Sequence, residues 1–132
     1  MVWLLEECKG MDYKIDVYKR GKDMLAPKEL KDVHPLGKSP VITVKTSTMP
    51  APRVIAESGF ITEYLCENFA THLIPKKYQE GKEGQVGCET EQWMRYKYFI
   101  HYAEGSLFSI MLIALFMDRT RPGSASRRLG CS

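Results

Sequence analysis

Three consecutive residues, Gly37-Lys38-Ser39, have the types that end a phosphate-cradling loop. In such a loop the lysine meets phosphate oxygens and the hydroxyl helps to hold a metal ion. The pattern also needs a glycine five positions before Gly37, where this chain has Asp32. A helix would have to begin where Pro40 stands, so phosphate binding of this kind is excluded. What remains is Ser39-Pro40 at the head of an apolar run, Val41 to Val44. A cis bond there would hold the N–H and C=O of Ser39 out as an open strand edge, able to pair with the main chain of a small peptide. The alternative is an ordinary trans proline that starts a strand. Taken alone it is the commoner case, since only about 5–6% of X–Pro bonds in folded proteins are cis.

A second pair, Glu57-Ser58, stands where a short apolar strand gives way to a helical pattern. Free N–H groups and the positive end of a helix dipole attract a carboxylate at such a junction. Ser58 can donate a hydroxyl to that carboxylate, and Glu57 can accept from an ammonium group. The plainer alternative is that Ser58 only caps the helix, and by itself that reading is favoured. Lys38 adds a cation suited to a second carboxylate, although a solvated surface lysine is the usual outcome. Taken together the three features fit a short peptide with an amino-acid end, a backbone to pair with and a further carboxylate. Glutathione has those groups.

The elements that must position these residues follow from hydrophobic spacing. Val2 to Cys8 is helix-like and stops at Gly10. Tyr13, Ile15 and Val17 alternate with Lys14, Asp16 and Tyr18, which predicts a strand. Gly21 to Pro27 reads as a connection and Lys28 to Val33 as a short helix ended by Pro35 and Gly37. Val41 to Val44 and Val54-Ile55 predict two strands joined by a polar, proline-bearing turn. From Glu57 the period changes, and Ile61, Tyr64, Leu65 and Phe69 describe an amphipathic helix. Positions 76–88 read as a linker. Glu89 to Asp118 lacks proline and predicts one long helix, bent near Gly105-Ser106. Trp93, Tyr96, Phe99, Ile100 and Ala103 fall at helical spacing and predict a core or dimer face.

Composition narrows the classes further. The 132 residues are 44% hydrophobic and 27% charged, which describes a folded chain rather than a disordered or disulfide-scaffold one. The net charge of +3 comes from the last fourteen positions, where Arg119, Arg121, Arg127 and Arg128 meet no acid. The other 118 residues hold fifteen basic and sixteen acidic side chains, so nucleic acid is not an expected partner. Cys8, Cys66, Cys88 and Cys131 form no CxxC pair and no metal-ligand spacing with histidine. Glu6 and Glu7 stand where a signal peptide would need positive charge, and a reducing cytosol is the expected location. Leu107 to Met117, at eleven residues, falls short of the roughly 20 that span a bilayer and is expected to be buried in protein.

Several runs carry a family likeness. Trp3 to Glu7, Met24 to Pro27, Val33 to Ile42, Ala56 to Gly59 and His101 to Leu107 resemble glutathione S-transferases, most closely the fungal and bacterial type related to the theta class. The likeness covers about positions 2–118, and the His34–Ile42 and Ala56–Gly59 runs are specific in combination. It implies an α/β thioredoxin-like domain over 1–75, a linker over 76–88 and the first long helix of an all-α C-terminal domain over 89–118. Positions 119–132 are expected to be a disordered Arg/Ser tail. By resemblance Lys38 meets the glycyl carboxylate of glutathione, Ser39 before a cis Pro40 pairs with its cysteinyl backbone, and Glu57 and Ser58 hold its γ-glutamyl end. The implied reaction is attack of the glutathione thiolate on a small electrophilic or peroxide substrate. Glutathione is then a co-substrate, no cofactor or metal is implied, and the family is usually dimeric.

The chain departs from the family pattern at both ends. Family members carry the activating serine, tyrosine or cysteine between a first strand and first helix, and this sequence starts at the helix. No residue is therefore assigned as catalytic, and Cys8, at the far end of that helix, reads as a small buried residue. The thioredoxin-like domain is expected to lack its first strand, the likeness stops near Asp118, and the chain is expected to be marginally stable. Two further readings stand beside glutathione transfer: a non-catalytic binding or regulatory module, and, more weakly, a membrane-surface protein using Leu107 to Met117.

Overall fold

The computed structural model describes residues 1–21 and 26–120. It divides into two compact units, Met1–Pro75 and Lys76–Ser132.

The first unit is built on a hairpin and a helix. Helices α1 (Val2–Glu7) and α2 (Leu30–Val33) precede strands β1 (Val41–Val44) and β2 (Arg53–Ala56), and helix α3 (Ser58–Phe69) follows. β1 and β2 are antiparallel, with Val41 opposite Ala56 and Val44 opposite Arg53. The β-branched residues of β1 suit a pleated, half-buried surface. The three- and four-residue spacing in α3 does what it predicts: Ile61 and Leu65 are fully buried, with Tyr64 and Phe69 packed against them. Cys8, Ile55 and Ala70 complete that cluster, and Leu4, Leu5, Ile42 and Val44 pack onto it. The Lys9 N–H donates to the Phe69 carbonyl at 3.2 Å and so ties the end of α1 to the end of α3. A 3-10 turn, Thr71–Leu73, closes the helix.

One expected strand is not there. Tyr13 to Tyr18 alternates as predicted, yet it forms no ladder, and all six residues are exposed. Alternation earns a strand only when a neighbour supplies hydrogen bonds. Among the described residues the sheet has two strands, β1 and β2, and neither is paired with this segment. It is held locally instead, by the Tyr13 hydroxyl donating to the Glu6 carboxylate and by a 2.9 Å ion pair between Lys14 and Asp16.

In the second unit, positions 76–88 run as successive turns, with Gly81, Gly84 and Gly87 at positive φ and a bridge between Tyr78 and Glu89. Helix α4 (Glu91–Tyr102) starts at Thr90, whose hydroxyl accepts from the Trp93 N–H at 3.2 Å. A π-helical segment, Ala103–Phe108, spans Gly105-Ser106 and joins α4 to α5 (Ser109–Thr120). The irregularity thus falls at the glycine-serine pair, as a wider turn within one helical run. α5 extends two residues past the expected end at Asp118, and the rest of the expected tail, 121–132, lies outside the described residues. Leu107 to Met117 is not buried as expected: its large apolar side chains are exposed.

The two core thiols make stability depend on pH. Burial pushes the Cys8 thiol above the usual thiol range, and burial, then the neighbouring Cys8 and Glu67, does the same to Cys66. A thiol raised on folding loses its proton first in the unfolded chain. Its contribution is whole below the unfolded value of about 8.5 and is lost as pH climbs through the folded value. Urea midpoints of the first unit should therefore fall from about pH 8.5 upward. The Cys8→Ala/Cys66→Ala pair should flatten that fall; an unchanged slope would refute the assignment.

Candidate functional site

The hairpin register decides which candidate residues meet. Val41 faces Ala56 in the last pair of the ladder. Pro40 directly precedes Val41 and Glu57 directly follows Ala56, so Ser39-Pro40 and Glu57-Ser58 stand at the same end of the hairpin. Two segments separated by eighteen positions in the chain thus share one end of the hairpin. Lys38 is exposed and directly precedes Ser39.

Each segment is locally shaped. The Ser39–Pro40 peptide bond is cis. Before it, the Gly37 N–H donates to the His34 carbonyl at 2.8 Å, and the Leu36 N–H donates to His34 Nδ1 at 3.3 Å. Gly37 is buried at φ +57°, and a Cβ there would come within 2.7 Å of Lys31 Cγ. A glycine is required by both the dihedral and the crowding. It fixes the direction in which Lys38 and Ser39 leave the turn.

Glu57 has φ 73° and ψ 117°, the one positive φ at a non-glycine among the described residues. Its carbonyl accepts the first bond of α3, from the Ile61 N–H at 2.8 Å, so Glu57 is the N-cap residue. Its side chain makes no capping hydrogen bond, and the first turn of α3 contains no acid. The carboxylate is exposed and the opening N–H groups of a twelve-residue helix are not capped by it. Ser58 is the first residue of α3, not its cap. An exposed carboxylate, a hydroxyl, a helix N-terminus and a lysine therefore occupy one end of one hairpin. That set can take a ligand with both a carboxylate and an ammonium group.

Sequence pattern named the five residues Lys38, Ser39, Pro40, Glu57 and Ser58, and they flank the paired strand ends Val41 and Ala56. It did not single out Gly37 beyond a turn, although a glycine between two turn-formers was the available signal. The strained backbone at Glu57 has no sequence signal. Cys8 is buried, with its thiol donating to the Leu4 carbonyl at 3.2 Å. Among the described residues no three His, Cys, Asp or Glu side chains are grouped to hold a metal ion.

Comparison with known proteins bears on the same stretch. Residues 1–68 match the family model described as glutathione S-transferase, N-terminal domain. The chain is 30% identical over 121 residues to glutathione S-transferase 1 of Saccharomyces cerevisiae, covering 92% of this chain and 47% of that protein. It is 28% identical over 118 residues to glutathione S-transferase 3 of Schizosaccharomyces pombe, covering 89% of this chain and 41% of that one. The chain thus spans less than half the length of these relatives. No solved structure matches.

Proposed function

Because this chain belongs to the glutathione S-transferase family, we propose that the open end of its hairpin binds glutathione. The observation that supports this reading is the pairing of Val41 with Ala56, which puts Ser39-Pro40 and Glu57-Ser58 at one end of the hairpin. Lys38 takes the glycyl carboxylate. The main chain of Ser39, ahead of Pro40, pairs with the cysteinyl residue. Ser58 and the opening N–H groups of α3 take the γ-glutamyl carboxylate, and Glu57 takes its ammonium group. This division puts each charge of the ligand beside its opposite.

The chemistry in this reading is transfer of the glutathione thiolate to a small electrophile or peroxide, a detoxifying reaction in the cytoplasm, by a homodimer. Binding holds the thiol in place beside the acceptor, and a hydroxyl or thiol donor lowers its pKa. No residue of this chain is assigned as that donor. A second reading, binding without transfer, is favoured by the burial of Cys8, whose proton is engaged by Leu4.

Ser58→Ala tests the site. Losing a hydrogen bond to a charged group costs about 1.5–3 kcal/mol, so retention on immobilised glutathione should weaken by at least about tenfold. Far-UV circular dichroism should not change. Equal retention of the two proteins would remove Ser58 from the site, and conjugation of an aryl halide by the retained protein would exclude the second reading.

A further inference from the structure

Pro35 leaves His34 little choice of backbone. A residue before proline is pushed out of the helical region, and His34 ends α2 extended, at φ −150° and ψ 136°. Its carbonyl accepts from the Gly37 N–H at 2.8 Å, closing a four-residue turn with Pro35 at the second position. Asp, Asn or Ser is the usual first residue of such a turn. A short polar side chain there accepts from the N–H two residues on and braces the turn. In this chain an imidazole takes that part: the Leu36 N–H donates to His34 Nδ1 at 3.3 Å.

That bond sets the protonation state of the ring. A nitrogen that accepts from an N–H carries no proton, so the ring is neutral with its proton on Nε2. In the imidazolium both nitrogens are donors, and Nδ1–H would meet the Leu36 N–H head on. Histidine is the side chain whose charge ordinarily changes between about pH 5 and 8. An asparagine in the same place would keep its acceptor throughout that range. The charged side chains beside His34 in the chain are Lys31, Asp32 and Lys38. The ion pairs Lys14–Asp16 and Glu7–His72 do not include it. Gly37, buried at φ +57° against Lys31, passes the geometry of the turn directly to Lys38 and Ser39.

We propose, resting on the glutathione reading above, that His34 is a positioning residue for that site. Its neutral ring braces the turn that presents Lys38 and Ser39, and a proton on Nδ1 releases the brace. The other groups placed at the site keep their charge across this range, since carboxyls titrate at about 4 and amines above about 7.7. Acid thus loosens the site without altering any group that touches the ligand.

Retention of this chain on glutathione coupled through its sulfur, at about pH 7.5 and about pH 5.5, tests the role of the ring. Wild-type retention should weaken about three- to tenfold at the lower pH, the worth of one hydrogen bond. His34→Asn keeps an acceptor and cannot take the proton, so it should hold like wild type at the higher pH and show no fall. His34→Ala should bind at both pH values like acidified wild type. In NMR spectra without glutathione, the Leu36 and Gly37 amide signals should titrate with the midpoint of the His34 ring. Equal wild-type retention at the two pH values would overturn the proposal. So would a fall of the same size in His34→Asn, which would assign it to another group, or a Leu36 amide that ignores the ring. Wild-type protein retained at neither pH would refute the glutathione reading itself, with the amide titration still deciding whether the ring braces the turn.

Discussion

Ile61→Ala is expected to remove most of the stability of the Met1–Pro75 unit. Ile61 is fully buried and sits where α3 meets the hairpin, in a cluster whose buried members are Cys8, Ile55, Leu65 and Ala70. Removing three carbons from a site of this kind costs about 2–5 kcal/mol, partly as lost transfer energy and partly as the cavity left behind. A whole domain holds only about 5–15 kcal/mol, and a core this small belongs at the low end. The measurement is a urea titration followed on the Leu65 methyl groups by NMR. The midpoint should move to low urea or vanish, whereas Val54→Ala, at a position 40% exposed, should move it little. Equal shifts for the two variants would mean that α3 does not carry the unit.

Glu57→Gly should have effects of opposite sign on stability and on binding. At φ 73° a side chain is strained, and backbone of this kind costs about 1–3 kcal/mol. Glycine adopts the conformation freely, though it loses more freedom on folding, so a net gain of about 1 kcal/mol is expected. Nothing local requires a glutamate there: its side chain does not cap α3. On the proposed reading it meets the ligand's ammonium group, and its loss should weaken glutathione binding by at least about tenfold. Glu57→Ala keeps the strain and loses the carboxylate, so it should bind as poorly without the gain in stability. A gain equal to that of glycine would mean that the backbone is not strained. A Glu57→Gly protein that binds normally would mean that the carboxylate has no part in the site.

Elements whose signal is local were legible in the sequence. The spacing of Ile61, Leu65 and Phe69 gave a helix with the correct buried face, and the β-branched runs gave both strands of the hairpin. Tyr13 to Tyr18 shows the limit of that logic, since alternation states which faces a strand would have but not whether a neighbour exists. The long helix was legible in extent, but its π-helical stretch was not, because a glycine-serine pair permits several kinds of irregularity. The site residues were chosen by chemical type. That they flank one end of the hairpin depends on which strand ends pair, a property of two segments far apart in the chain that neither segment states alone. The φ of Glu57 follows from how β2 must turn into α3, which no residue type encodes.

The hairpin's open side also bears on how the protein behaves in a crowded solution. Among the described residues β1 is paired on one edge only, and its sequence, Val-Ile-Thr-Val, is uncharged and β-prone. Such an edge is a template on which another strand can add, and then another on that. Two residues stand guard at its ends. Pro40 has no N–H to offer an incoming strand, and Lys45 places a charge where a stacked copy would place the same charge. With only four residues between them, templated growth finds a short landing, closed at one end by geometry and at the other by repulsion. The proline that shapes the site thus also keeps the strand beside it from recruiting its own kind.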